Sequence, residues 1–365
     1  MSLPTVSAAL SLSDLGSNSD SDSDSIKIEP AALRVLGEKI KAACLNGGMF
    51  YLVEHGISPA LTTSVLQQTA AFFAQSEKEK AAIHIKNASN HRGYGLLKNY
   101  RDWREQIHIG LEAPSKNGSA SEAYWSLWGP NQWPKSENET FKSTMLDYFQ
   151  ATDRLARIML AALALTLNKP QDFFSLRMKD SPYLLMKAMS YLPQETAAQM
   201  DKGGAVQSGV TAHCDWSWLT FLIQDDVGGL EAQDSKGLWH AVDPIENSII
   251  VNTGELLEIE SGGLFPASPH RVINSRIDRQ RYSVPVFINP ALDSQIYPAG
   301  IFTDKNADSK SDANLAASST HHDEAHIHKV IQPGSKLQDF VFGDSEYERK
   351  ALGKWCYRKE CLVAV

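Results

Sequence analysis

The sequence predicts a mainly β protein with helices packed outside, its strands folded into a sandwich or closed barrel. Three observations carry that reading. Between residues 184 and 290, short runs rich in Leu, Ile, Val and Phe alternate with turn clusters, as at 219–223 before 225–229 and at 248–251 before 252–254. Short strands at this spacing build sandwiches and barrels. Ahead of them, apolar residues recur three and four apart, the period of a helix. The chain has 365 residues, 42% hydrophobic and 21% charged, an ordinary globular composition with enough length to bury a large core.

Each element follows in order. Residues 1–25 read as a disordered tail, because SNSDSDSDS (17–25) alternates hydroxyl and acidic side chains and buries nothing. A kinase-substrate segment is the other reading of that stretch. Folded sequence starts near Ile26. Leu33, Leu36, Ile40 and Ala43 make one helical face, and Gly47 with Gly48 stops the helix. MFYLV (49–53) is a short apolar strand. Ser58 and Pro59 fit the N-cap and first position of a helix carrying Leu61, Val65, Phe72 and Phe73. Ser76 with Glu79 forms a capping box for the next short helix. Residues 91–134 read as loop-rich, with Gly93, Gly95, Pro114, Gly129, Pro130 and Pro134. A long amphipathic helix then carries Phe141, Met145, Tyr148, Leu155, Ile158 and Ala162, and ends at Asn168 and Pro170. The expected division is a tail over 1–25, an N-terminal helical and mixed module over 26–180 and a β core over 181–300. A mobile low-complexity insertion over 301–328 and a C-terminal helical cover over 329–365 complete it. No internal repeat is visible.

Composition excludes several classes. The formal charge is −8, from 35 basic and 43 acidic residues, which argues against a nucleic-acid partner held by the overall field. Four cysteines (Cys44, Cys214, Cys356, Cys361) are too few and scattered for a disulfide framework, so a reducing compartment is expected. The longest apolar run, 158–167, falls far short of the roughly 18 residues a membrane span needs. No basic-then-apolar leader is present at the N-terminus. The cytoplasm is the expected location.

The chemistry concentrates in TAHCDWSWLTFL (211–222). His213 and Asp215 are two apart, so on an extended strand both point to one face. His270, in FPASPHRV (265–272), offers a third ligand. Two histidines and one carboxylate on one side of a metal leave the opposite positions open, the pattern of non-haem iron(II) oxygenases. Taken alone, the triplet has a second reading as structural histidines beside an unrelated Asp. Arg281 and Ser283 follow in RYSVPVFINP (281–290) and share one strand face. An arginine fork with a hydroxyl suits a carboxylate. The alternative is an edge-strand arginine paired with a surface Asp.

These residues resemble a known family, the iron(II)- and 2-oxoglutarate-dependent dioxygenases of the isopenicillin-N-synthase-like branch. The resemblance spans about residues 26–360 and rests on HCD (213–215), QDDVGGLE (224–231), VNTGELLEI (251–259), SPHRV (268–272) and RYSVPVFINP (281–290). GGMFYLVEHGI (47–57), GYG (93–95), RDWREQIHIG (101–110) and GPNQWP (129–134) fit its N-terminal module. The resemblance implies a double-stranded β-helix, or jelly roll, flanked by helices. It implies that His213, Asp215 and His270 hold Fe(II), and that Arg281 and Ser283 bind the distal carboxylate of 2-oxoglutarate. Tyr191, in SYLP (190–193), would add a hydrogen bond there, its other reading being a core tyrosine. The family's Asn and second Pro around that Tyr are replaced here by Met189 and Leu192. O2 would be consumed, succinate and CO2 released, and ascorbate would stimulate. The outcome would be hydroxylation, desaturation or oxidative cyclisation of a small-molecule substrate in specialised metabolism, by a monomer.

By the same resemblance, Tyr94, Lys98, His108, Trp216 and Phe287 line the substrate pocket; each also reads as packing or surface. His91, Arg92, Lys98, Arg101 and Arg104 are cations that suit an acidic, amino-acid-derived substrate, or make up a charged surface loop. His321, His322, Asp323, Glu324, His326 and His328 follow low-complexity sequence and read as adventitious metal binding or solvation. His55 reads as structural, and Cys214 as packing on the face opposite the ligands. Three rival functions remain: an iron oxidase of the same fold that does not use 2-oxoglutarate, a non-catalytic small-molecule binding protein, and a zinc hydrolase on the same ligands.

Overall fold

Side-chain alternation along β12 (Arg281–Ile288) lays out the molecule. Val284, Val286 and Ile288 are buried against helices, while Arg281 and Ser283 are buried on the other face. The strand pairs antiparallel with β5 (Leu185–Tyr191) on one side and β7 (Leu219–Gln224) on the other. Beyond β7 come β10 (Ile249–Thr253), β2 (Met49–His55) and β1 (Thr5–Leu10); beyond β5 come β4 (Trp103–Gly110) and β3 (Gly93–Lys98). The result is an eight-stranded sheet. A four-stranded sheet faces it, in the order β6 (Ser208–His213), β11 (His270–Ile273), β8 (Leu230–Gln233), β9 (Trp239–Ala241). Together they form the expected double-stranded β-helix. The structure is a computed structural model that describes residues 3–10, 28–98, 102–115, 127–135, 139–178, 182–193, 208–273, 279–292, 294 and 296. Among these, no helix is long and apolar enough to cross a membrane.

Two apolar cores hold the layers. The larger lies between the long sheet and α1 (Pro30–Cys44), α2 (Pro59–Phe73) and α4 (Glu139–Thr166), and includes Leu33, Ile40, Phe72, Phe149, Phe221 and Val286. The smaller lies between the sheets, where Met49, Tyr51, Met189, Tyr191, Leu230 and Val272 meet. The predicted face of α1 is the buried one, and Gly48, at φ 72°, donates its N–H back to the Cys44 carbonyl at 3.1 Å. Pro59 opens α2, and Ser76 with Glu79 closes a reciprocal capping box on α3 (Glu77–Ala82).

Two expectations fail. The disordered tail over residues 1–25 contains β1, which pairs parallel with β2 from Thr5 opposite Tyr51. Val6 and Ala8 are buried while Thr5 and Ala9 are exposed, a period-two pattern too short to stand out without its partner strand. The Ser/Asp run at 17–25 lies outside the described residues. The stretch over 91–134, expected to be loop-rich, contains two strands the sequence did not announce, β3 and β4. Polar residues are buried on both faces of β4: Glu105 meets Lys80 on the helix side at 2.5 Å, and Gln106 and His108 face the other sheet. That burial erases the apolar alternation a strand usually shows. The insertion over 301–328, the C-terminal cover and the histidines at 321–328 also lie outside the described residues.

Candidate metal centre

The triad comes from two strand ends and a turn. His213 is the last residue of β6, and His270, the first of β11, pairs with it directly. Asp215 stands past the end of β6 rather than on it, so strand alternation does not aim it, contrary to expectation. The Glu255 N–H, at the start of α5 (Glu255–Ser261), pins its carbonyl at 2.8 Å. The three ligand atoms all lie within 4.8 Å of one another. Asp215 Oδ1 is 3.7 Å from His213 Nε2 and 3.8 Å from His270 Nε2, and the imidazole centroids are 4.2 Å apart.

Hydrogen bonds behind the triad decide its chemistry. His213 Nδ1 lies 2.8 Å from the Thr211 carbonyl, and His270 Nδ1 lies 2.9 Å from the Ser268 carbonyl. A carbonyl only accepts, so each Nδ1 carries the hydrogen and each Nε2 lone pair is turned toward Asp215. Asp215 Oδ2 accepts from Thr220 Oγ1 at 2.6 Å and Asn252 Nδ2 at 2.9 Å, leaving Oδ1 to the histidines. Burial and the neighbouring His270 push the His213 imidazole down to about 3, against the pull of Asp215. Burial works to raise the Asp215 carboxyl, but the two histidines and the two donors outweigh it and hold it low. Two imidazoles oriented by backbone carbonyls and a carboxylate form a donor set suited to a divalent metal.

A second site lies along the same interior face. Arg281 is only 2% exposed and sits on a strand with neighbours on both sides, so the edge-strand alternative is excluded. Its Nη2 donates to Gln224 Oε1 at 2.7 Å and its Nη1 to Ser283 Oγ at 3.3 Å, above the Tyr191 ring at 4.7 Å. Its Nε is buried without a partner, and among the described residues no carboxylate pairs with it. A buried cation left without its anion fits a keto-acid carboxylate. The Tyr191 hydroxyl bonds the Met189 sulfur at 3.6 Å, so this tyrosine lies against the arginine but spends its proton elsewhere.

The expected substrate residues divide. His108 and Phe287 share the interior face with Arg281, by the register through β4, β5 and β12. Trp216, next to Asp215, stacks on Tyr183 at 5.8 Å. Tyr94 does not reach the pocket: it points to the helix side, packs on Phe72 and donates to Glu105 at 2.6 Å. Lys98 is exposed over the Trp103 ring. Of the cations at 91–104, Arg104 is engaged by Asp102 and Arg101 lies outside the described residues, whereas Arg92 is buried. Sequence reasoning missed Thr220, Asn252, Gln224 and Lys187; only their parity with known face residues on adjacent strands would have exposed them. His55 is buried and accepts the Ile57 N–H, a structural role. Cys214 is half-buried and unoxidised, its thiol pushed up by burial and nearby carboxylates.

Comparison with known proteins agrees. Residues 19–136 match the N-terminal model of non-haem dioxygenases in morphine synthesis, and 185–290 match the 2OG-Fe(II) oxygenase superfamily. A probable iron/ascorbate oxidoreductase of Dictyostelium discoideum is 30% identical, over 79% of this chain and 84% of that protein. The chain belongs to the 2OG-Fe(II) oxygenase superfamily. This oxygenase is also 30% identical to a homoarginine-6-hydroxylase of Arabidopsis thaliana, over 76% of each. Its fold matches that of a full-length Neurospora crassa protein crystallised in complex with α-KG and thymine, with a TM-score of 0.64 and 22% identity over 82% of this chain and 88% of that one. The family is Fe(II)- and 2-oxoglutarate-dependent, and the chain is a dioxygenase of that family.

Proposed function

We propose that His213, Asp215 and His270 hold iron(II), that Arg281 and Ser283 hold the distal carboxylate of 2-oxoglutarate, and that a small acidic, amino-acid-derived metabolite is oxidised at an unactivated C–H. The observation that carries this is one interior face bearing both a carbonyl-oriented His/Asp/His set and a buried guanidinium that makes no ion pair among the described residues. When bound, iron and keto acid supply dioxygen activation, with 2-oxoglutarate oxidised to succinate and CO2 as the substrate C–H is oxidised.

The chain's own residues do the rest. Thr220 and Asn252 keep Asp215 from turning its second oxygen toward the metal position. Gln224 and the Tyr191 face hold the Arg281 fork in place before the keto acid arrives. The apolar side chains between the sheets, Met189, Leu230 and Val272 among them, exclude water from the carboxylate end. Hydroxylation, desaturation and ring closure differ in how the substrate is placed, and the pocket walls set that. Ascorbate would serve to keep the iron reduced.

An anaerobic titration with iron(II) and then 2-oxoglutarate tests the reading. A visible charge-transfer band requiring both additions is the expected result. Tight iron binding with no such band would instead identify an oxidase that draws electrons elsewhere.

A further inference from the structure

We propose that Arg92 and Lys187 form the substrate's carboxylate anchor, a second anion site toward the opposite end of β5 and β12 from Arg281. The inference rests on the oxygenase reading of the triad. Arg92 is 3% exposed. Its Nε is buried without a hydrogen-bond partner, its Nη2 reaches only the Leu127 carbonyl at 3.4 Å, and no carboxylate pairs with it among the described residues. Burying a guanidinium with so few partners costs stability that an incoming anion returns.

Its position is set by Gly110. A Cβ added at Gly110 would come within 2.0 Å of Arg92 Nη2, so the guanidinium lies where that side chain would be. Gly110 pairs with Leu185 two residues beyond His108, on the interior face of β4. Lys187 pairs directly with His108 on the neighbouring strand, and its ammonium lies 4.9 Å from the centroid of the Phe287 ring. Burial and the charges of Lys187 and Arg92 push the His108 imidazole well below its usual value, so it stays neutral between them. Both cations therefore converge on one corner.

Two separate paths join that corner to the metal ligands. Arg92 lies over the Tyr183 ring at 5.8 Å, Tyr183 stacks on Trp216 at 5.8 Å, and Trp216 adjoins Asp215. Lys187 lies over Phe287, Phe287 pairs with Thr220, and Thr220 donates to Asp215 at 2.6 Å. Lys187 lies four residues along β5 from Tyr191, which pairs with Arg281, roughly 13 Å at strand rise, so the two cations mark separate anion sites. The surroundings define a ligand class: an organic acid whose carboxylate meets Arg92 and Lys187 and whose body lies against Tyr183, Trp216 and Phe287 near the metal.

The test uses the full chain loaded with Zn(II), which is redox-silent, and saturated with 2-oxoglutarate. Calorimetric titrations compare 3-phenylpropanoate, N-acetylphenylalanine and hexanoate, each against its primary amide. At least one acid should outbind its amide by about ten- to hundredfold, the worth of a charge-assisted hydrogen bond. Lys187→Met and Arg92→Met should each cut that affinity by about tenfold and erase the preference, while Lys187→Arg keeps most of it. Equal binding of acid and amide, no binding of any acid, or affinity unmoved by the substitutions overturns the anchor. If Arg92→Met fails to fold, the wild-type acid–amide ratio and Lys187→Met decide. Binding of 2-oxoglutarate is read first in the same samples. Its absence from the wild type refutes the oxygenase reading, whereas its presence without an acid preference refutes the anchor alone.

Discussion

Removing the hydrogen bonds behind Asp215 should weaken metal binding without touching a ligand. Thr220→Val keeps the side-chain shape and deletes the 2.6 Å bond to Oδ2; Asn252→Leu deletes the 2.9 Å bond to the same oxygen. Each bond has a buried, charged acceptor, so each is worth about 1.5–3 kcal/mol. Outer partners of metal ligands typically cost ten- to hundredfold in affinity when lost. Each single variant should therefore raise the Co(II) or anaerobic Fe(II) dissociation constant by about tenfold or more. The double variant should fall short of the product of the two, because both donors serve one oxygen and the freed carboxylate can turn both oxygens to the metal. Competition against a calibrated chelator measures this, with melting temperature as the fold control. Dissociation constants within about twofold of wild type in all three variants, with melting intact, would refute the idea that these donors orient Asp215.

Other outcomes follow from the same structure. Arg281→Ala should weaken 2-oxoglutarate binding far more than iron binding, read by the same titration; His213→Ala should abolish turnover, and succinate release checks it. Glu105→Leu strands the Lys80 ammonium, which is 6% exposed, and should cost about 3–5 kcal/mol in denaturant unfolding. Burial, Glu258 and Asp215 raise the Glu255 carboxyl from 4.5 to about 8. The folded metal-free chain then holds a proton that the unfolded chain releases, so this contribution is fullest below about 4.5 and is lost as pH rises through about 8. Glu255→Gln should accordingly flatten the decline of melting temperature between about pH 5 and 8.

How much could be read beforehand depended on how locally each feature is encoded. Helices α1, α2 and α4 show their buried faces in spacing alone, and the capping box at Ser76 is spelled out within four residues. The candidate ligands His213 and His270 and the Arg281–Ser283 pair stand in compact motifs, so the sequence alone could propose them. The partners that tune them were not. Thr220 and Asn252 reach Asp215 from β7 and β10, and Lys187 enters from the centre of β5; each is defined by strand register rather than by neighbours in sequence. Tyr94 was misplaced for the same reason. Between β3 and β4 it is parity that separates it from His108, since Gly93, not Tyr94, is the residue opposite.

The parallel strand at Thr5–Leu10 carries a practical lesson for handling this protein. It is the outermost strand of the long sheet and the only cover for the free side of β2 among the described residues. β2 reads MFYLVEH, an apolar, β-prone stretch with a single acidic residue and no proline. Trimming the chain to begin at the first helix, as the Ser/Asp-rich sequence invites, would uncover that backbone edge and offer it to a second molecule for strand-to-strand growth. A shortened chain that precipitates would thus have lost its edge guard, with His213, Asp215 and His270 still in place.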